Sequence, residues 1–398
     1  MELKKIHISD IGKIITGKTP RTSVAENYDG DIPFLTPSDD LSHKSAPRTT
    51  KTLTEKGLNE VRNCLLPPRS ICVSCIGSDL GKVVMTIEPT VTNQQFNSII
   101  PNKNFNADFV YYLMTLVGRE LNYLSKTSTA VPIINKSSFS NYEVEVPDLE
   151  TQEKIASILS SLDSKIELNR RINDNLEQQA RALFKAWFVD FEPFRDGEFV
   201  DSELGMIPKG WKVVSLGEVT KQITEKVGNR EDVTVLSPIN SGELVLSKEY
   251  FTKQVFSKDL SKYLIVNPLS FAYNPARINI GSIGLNTFDF LGCVSPVYVV
   301  FECEPNYQYF FDFFKRTATF KDEVALRAIG GVRQSLGYND FSLIKTVYPT
   351  QDVVIKFNNL YLKMKEVINQ NSIQSDKFIS LRDSLLPKLM SGELKINN

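Results

Sequence analysis

The sequence is poor in the residues on which most catalytic and metal chemistry depends. Its 398 residues include 2 histidines, 2 tryptophans and 5 cysteines. His7 and His43 leave little material for acid–base catalysis by imidazole. Five cysteines in a chain of this length do not suggest a disulfide scaffold. Cys72 and Cys75 form one C-x-x-C, but no second pair or nearby histidine completes a zinc site. On a strand these two face opposite sides, so buried thiols are expected and no metal or cofactor is. A run of about 18 apolar residues is also missing, which argues against a membrane span. The opening MELKKIHISD has no apolar stretch after its lysines and so does not resemble a secretory signal. Together these absences place the expected site of action in the cytoplasm.

An excess of charge of one sign is missing too. The net charge is −1, and by segment it is 0 over 1–148, −5 over 149–204, +2 over 205–350 and +2 over 351–398. Any surface for a polyanion must come from local clustering of lysine and arginine.

Two motifs look chemical and do not hold up. Gly12 to Thr19 reads GKIITGKT, the spacing of a phosphate-binding loop. Such a loop needs a buried strand before it and a helix after it. Here Pro20, Arg21 and Thr22 follow at once, a poor helix interior. NPAR (274–277) lacks the aromatic residue of the NPP[YF] signature with which amino-methyltransferases hold a flipped adenine. No catalytic residue emerges.

What the sequence does have is a repeat. From Thr151 onward, apolar residues recur four and three apart: Ile155, Leu159, Leu162, Ile166, then Leu176, Ala180, Leu183 and Trp187. Asn169 and Asn173 occupy the middle of this heptad seam. Adding 202 to each number gives Phe357, Tyr361, Met364, Ile368, Asn371, Ser375, Phe378, Arg382, Leu385 and Leu389. The pattern recurs with its polar centre, broken only by Arg382 against Ala180. The regions before the seams repeat more faintly. Ile11-Gly12 matches Leu216-Gly217, Ser70 to Gly81 matches Ser270 to Gly281, and Val131 to Pro147 matches Val332 to Pro349. The stretches 105–121 and 307–320 read as helical patches.

This predicts an α+β fold of two similar domains joined by two long antiparallel coiled-coil helices, with a pseudo-twofold relation. The expected boundaries are 1–148 and 211–350 for the domains, 149–196 and 351–398 for the helices, and 197–210 for a polar linker. A helix of about 40 residues is about 60 Å long, against about 40 Å for a domain of this size. A short tether then sends the second helix back along the first, with a domain at each end. The polar central positions would set register and orientation at some cost in stability.

Several segments resemble a known family. KIITGKTP (13–20), IPFLTPSDDL (32–41) and VTNQQFNSIIP (91–101) resemble the first target-recognition domain of type I restriction-modification specificity subunits. Residues 151–194 look like their central conserved region. SELGMIPKGW (202–211) resembles the entry to their second recognition domain, and LRDSLLPKLMSGEL (381–394) their C-terminal conserved region. The resemblance covers essentially the whole chain. The second unit departs from the first: no GKTP follows Gly217, and VSPVY (294–298) stands in place of NQQFN.

The resemblance implies a noncatalytic reader of a split double-stranded DNA target. It also implies two methyltransferase subunits that modify adenine, docked on the long helices, and motor-nuclease subunits for restriction. Two domains at most about 60 Å apart can address major-groove stretches about one helical turn, roughly 34 Å, apart. Lys18 and Thr19 on a loop are candidates for phosphate contact. Candidate base readers are Asn93, Gln94, Gln95, Ser128, Thr129, Asn135 and Lys136 in the first unit. In the second they are Arg277, Asn279, Arg333, Gln334 and Tyr338. Asparagine and glutamine suit adenine edges, and arginine suits guanine. Apolar residues beside the seam (Ile158, Leu168, Ile172, Phe188, Leu360, Val367, Leu381 and Leu386) await a partner or the domains themselves. Two other classes compete: a coiled-coil adaptor that reads no sequence, and a nucleotide hydrolase using GKIITGKT.

Overall fold

Proline sets the frame in each half of the chain. Pro147 and Pro349 each end a strand, and a polar residue follows that opens a long helix. Asp148 accepts from the Thr151 amide at 2.9 Å and from its hydroxyl at 3.0 Å. Such a cap satisfies an amide that has no partner inside the helix. The helices that follow are Leu149–Phe188, of 40 residues, and Gln351–Ser391, of 41. A computed structural model describes residues 2–45, 48–77, 79–125, 133–251, 253–328 and 335–394.

The chain divides into two units. One runs to Arg171 and resumes at Gln370; the other is Ile172–Asn369. Each long helix therefore contributes a stretch to both.

In the first unit, strand Lys4–His7 pairs antiparallel with Glu143–Val146 and closes the domain just before its helix. A four-stranded sheet has the order Gly12–Thr16, Phe96–Pro101, Ile71–Ser74, Val83–Met85. A three-stranded sheet pairs Tyr28–Leu35 antiparallel with Thr52–Leu53 and parallel with Val91–Thr92. Helix Ala107–Ser125 packs on the four-stranded sheet. Its closest approach needs glycine on both sides: a Cβ on Gly81 or Gly118 would sit 2.1 Å from the other's carbonyl oxygen. The core joins Ile11, Ile71, Ile99, Phe109 and Met114 to Ile155 and Leu159 of one long helix and Leu386, Leu389 and Met390 of the other.

The second unit repeats this topology strand for strand. Lys212–Ser215 pairs with Lys345–Tyr348 before the second long helix. The sheet order is Thr220–Ile223, Val299–Cys303, Phe271–Tyr273, Ile283–Leu285. Thr234–Pro238 pairs antiparallel with Leu244–Leu246 and parallel with Gly292–Val294. An added strand, Leu264–Val266, extends that second sheet. The helical patch at 307–320 splits into Gln308–Phe314 and Ala318–Arg327, because Thr317 turns out of the helix to accept from the Phe320 amide at 3.3 Å. The stretch after the first long helix is also more ordered than a plain linker: Phe199–Val200 pairs with Ile207–Pro208.

Along the long helices the seam positions face inward in both units. Ile155, Leu159, Phe357 and Leu389 are buried. Leu162, Ile166, Asn173, Leu176, Leu183, Tyr361, Met364, Ile368, Asn371, Phe378 and Leu385 are half-buried. Asn169, 6% exposed, donates to Gln374 Oε1 at 2.9 Å and to Ser375 Oγ at 3.3 Å, while Asn173 donates to the Ile368 carbonyl at 3.3 Å. Positions rising along one helix meet positions falling along the other, so the stretches are antiparallel within each unit. Arg382, the break in the repeat, reaches across to Asp163 at 2.8 Å.

Candidate nucleic-acid interface

In the first unit, four segments meet at one end of the four-stranded sheet. Strand Gly12–Thr16 runs on into Gly17, whose amide donates to the Phe96 carbonyl at 3.1 Å, and Lys18, whose amide donates to Thr92 at 2.9 Å. A Cβ on Gly17 would lie 2.1 Å from the Asn93 carbonyl, so only glycine lets this loop rest on the turn at 93–95. The Cys75 amide donates to Gln95 at 2.7 Å, and the Ile134 amide to Cys75 at 2.9 Å. Asn97, 3% exposed, stitches the group: it accepts from the Thr16 hydroxyl at 2.6 Å and donates to the Ile134 carbonyl at 3.2 Å.

The candidate residues sort by how they are used. Lys18, Gln94, Asn135 and Lys136 are exposed, Thr19 and Gln95 are half-buried, and Asn93 is 8% exposed. Asn93 donates to Gln95 Oε1 at 2.8 Å and accepts from the Gln95 amide at 3.0 Å, so it is spent on the turn. Asn135 caps the short helix Lys136–Ser140 by accepting from the Ser138 amide at 2.8 Å. Thr19 donates to Gln94 Oε1 at 2.6 Å, which leaves the Gln94 amide nitrogen to donate outward. Burial raises the pKa of the Cys64 thiol, and the charges of both Lys18 and Lys136 oppose that rise, so the two ammonium groups share one neighbourhood. Ser128 and Thr129 lie outside the described residues.

The second unit builds the same end with other side chains. The Leu336 amide donates to the Pro275 carbonyl at 3.0 Å, as Ile134 does to Cys75, and the Tyr298 amide closes a turn on Ser295 at 3.0 Å, as Phe96 does on Asn93. The residues of that turn are Ser295, Pro296 and Val297, with Val297 70% exposed. Arg277 and Asn279 are exposed on the loop beside it. Burial raises the Tyr298 pKa, while the Arg277 charge and a hydrogen bond from Asn274 oppose it. Tyr338 is half-buried, and its hydroxyl donates to the Thr220 carbonyl at 3.0 Å, so it braces the loop. Arg333 and Gln334 lie outside the described residues.

Two positions escaped the sequence reading. Asn97 sits beyond the polar run and carries its role through contacts 81 and 37 residues away. Lys226 becomes visible only through strand register. Ile223 pairs with Val300 as Ile15 pairs with Ser98, and three residues on, Lys226 lies against Leu264 of the added strand, whereas the Lys18 amide donates to Thr92. Lys226 is exposed.

Other chemistries find no support here. Gly12–Thr16 is a strand in an antiparallel sheet, and the next helical turn is Ala25–Asn27, so GKIITGKT does not form a phosphate-cradling loop before a helix. Cys72 and Cys75 are buried, and burial pushes the Cys72 thiol up to about 12. Among the described residues no group of three His, Cys, Asp or Glu could hold a metal, and no helix is long and apolar enough to cross a membrane.

A related chain settles the family. The type I restriction enzyme MjaIX specificity subunit of Methanocaldococcus jannaschii is 30% identical over 411 aligned positions, covering 99% of this chain and 94% of that one. The chain belongs to the type I restriction enzyme specificity subunits. Its residues 1–178 match the family described as the type I restriction modification DNA specificity domain. The HindI specificity subunit of Haemophilus influenzae is 37% identical over 174 positions, covering 42% of this chain and 38% of its own. The fold of this specificity subunit is similar to that of the type I restriction-modification S subunit from M. genitalium, with a TM-score of 0.53 at 14% identity, covering 98% and 96% of the two chains.

Proposed function

We propose that this specificity subunit reads a split double-stranded DNA target, one half with each unit, and catalyses nothing itself. The observation that carries this reading is the repeated framework with unlike loop ends. Matching loops lie at the same end of the sheet in both units, yet Asn-Gln-Gln in one becomes Ser-Pro-Val in the other. A conserved scaffold under divergent polar tips suits two different half-sites. In the first unit, Lys18 and Lys136 would contact phosphate, and Gln94 would donate to a base-edge acceptor. In the second, Lys226 would contact phosphate and Arg277 a guanine edge, with Asn279 beside it. Whatever residues 126–132 and 329–334 contribute, including Ser128, Thr129, Arg333 and Gln334, would add to these sets.

The long helices would dock two adenine methyltransferase subunits, with motor-nuclease subunits joining for restriction, all in the cytoplasm. Support comes from the apolar residues that the domains leave uncovered: Leu168, Ile172, Leu360, Val367 and Leu381 are 38–50% exposed, whereas Phe188 and Leu386 are buried by their own units.

The test is to map modified adenines in the host genome and in a host lacking this chain. A split motif with one modified adenine on each strand, lost with the chain, is the expected result. Methylation unaffected by the deletion would leave only an adaptor role. In the purified complex, Lys18→Ala should weaken binding about equally across sequences and lower the salt slope by about 1. Gln94→Ala should instead relax one position of one half-site.

A further inference from the structure

The first recognition domain is tied to the long helices by one continuous chain of charged and hydroxyl groups. Arg69 Nη2 reaches Asp108 at 2.6 Å, and Asp108 accepts from Lys44 at 2.8 Å. Lys44 also donates to Ser160 Oγ at 2.8 Å and to the Tyr112 hydroxyl at 3.2 Å. Tyr112, 1% exposed, donates to Asp163. Asp163 receives Arg382 at 2.8 Å, Arg382 also reaches Asp383 at 3.0 Å, and Arg119 returns from the domain to Asp383 at 3.2 Å. The chain thus leaves the domain at Lys44 and Tyr112, crosses both long helices, and re-enters the domain at Arg119.

Among the described residues, the second unit has no such chain at the matching place. Tyr112 is the sixth residue of helix Ala107–Ser125, and Phe313 is the sixth of Gln308–Phe314. Phe313 has no hydroxyl and packs on Phe357 at 5.4 Å and Tyr361 at 4.9 Å. The position of Arg382 is held by Ala180. A domain can therefore be seated on these helices mainly by apolar packing, with Asn358 donating to the Asn306 carbonyl at 2.7 Å.

Burying ions is a poor way to gain stability, because desolvation offsets most of the attraction. What a linked set of hydrogen bonds adds is direction: each bond tolerates little rotation. We infer that the Lys44–Tyr112–Asp163–Arg382 network is a positioning device that fixes the tilt of the first recognition domain on its helices, and thereby the spacer length accepted between the two half-sites. This rests on the reading of a split target proposed above. A domain free to rock would still recognise its own bases but would tolerate a spacer of the wrong length.

The experiment uses the whole chain with its methyltransferase subunits. Methylation rates are measured on the mapped target, on targets with the spacer one base pair longer or shorter, and on targets with one changed base in each half-site. The unaltered complex is expected to discriminate sharply on both counts. Arg382→Met should reduce spacer discrimination roughly tenfold, the scale of one buried charge pair partly replaced by packing. Half-site discrimination should stay the same, and Arg382→Lys should restore part of the loss. Tyr112→Phe removes a single oxygen and should give a smaller loss of the same kind, so it carries the test if Arg382→Met does not assemble. Folded variant complexes with unchanged spacer discrimination would overturn the inference, as would equal loosening at spacer and half-site bases. An unaltered complex that modifies no split target would instead overturn the function itself.

Discussion

The two units seat the same kind of domain on the same pair of helices by different means. In the first, the contact adds to its apolar core a polar and directional chain through Lys44, Tyr112, Asp163 and Arg382. In the second it is a block of rings: Phe357, fully buried, lies 5.2 Å from Phe188, 5.4 Å from Phe313 and 5.8 Å from Phe184. The second unit does bury an ion pair, Lys315 with Asp312 at 2.8 Å, but both groups belong to the domain, and the Lys315 ammonium turns to the domain's own Ile283 carbonyl. Topology can repeat while the chemistry of its key joint is exchanged. Burial of rings is strong and only weakly directional, whereas a hydrogen-bonded ion chain is geometrically strict and contributes less net stability.

That contrast can be broken most forcefully at Phe357. Phe357→Ala should cost about 3–5 kcal/mol, the usual range for deleting a buried ring that leaves a cavity. Chemical denaturation would show it as a lower midpoint for the second unit. Asp163→Ala comes next. It removes one of the two carboxylates that Arg382 reaches and the nearer acceptor of the Tyr112 hydroxyl, so a loss of about 1–3 kcal/mol is expected, discounted because Arg382 is not fully buried. The same denaturation experiment should place this loss in the first unit.

Acid sharpens the comparison further. Burial alone would raise the Asp108 pKa, but Lys44 and Arg69 together hold it below the ordinary carboxylate value. The Arg170 and Arg171 guanidiniums hold Glu167, on the first-unit stretch of its helix, down from 4.5 to about 2. A depressed folded pKa stabilises the protein above the unfolded pKa, and that contribution is lost as pH falls toward the folded value. The first unit should therefore weaken between pH 4.5 and about 2. Asp108→Asn and Glu167→Gln should flatten the dependence of its melting temperature over that window. The smallest effect is expected at the seam centre. Asn169→Leu should change stability by about 1 kcal/mol or less, in either direction, while loosening the helix register; disulfide trapping between engineered cysteines in alternative registers would reveal it.

The helices and the repeat were legible in the sequence because helical periodicity is local. Ten seam positions at one offset needed no knowledge of what they touch. The two-domain α+β architecture followed from the fainter echoes around Ser70–Gly81 and Ser270–Gly281. The joint with the helices was not legible. Arg382 read as a break in the pattern because its partner, Asp163, lies 219 residues away and no spacing rule links them. Tyr338 read as an exposed loop residue, but its hydroxyl is used by Thr220, 118 residues upstream. Asn93 read as a base reader by residue type, and the turn it closes with Gln95 was not visible in the sequence. Lys226 was missed because the second domain's loops differ in length and composition, so only backbone pairing places it beyond the strand that matches Gly12–Thr16.

The division into units sets the order in which the molecule is completed. The second unit is continuous in sequence, while the first includes Leu386, Leu389 and Met390 in its core. During synthesis, the seat for those three side chains stays open while everything from Ile172 onward is added. At roughly 5–20 residues per second that interval is roughly 10–40 s. The second unit can close as soon as its own residues leave the ribosome, so the half translated first is the half completed last. An apolar groove on Ile155 and Leu159 is exposed for that time, and this is the stage at which a nascent chain is most open to chaperone capture or to mispairing with another copy of itself.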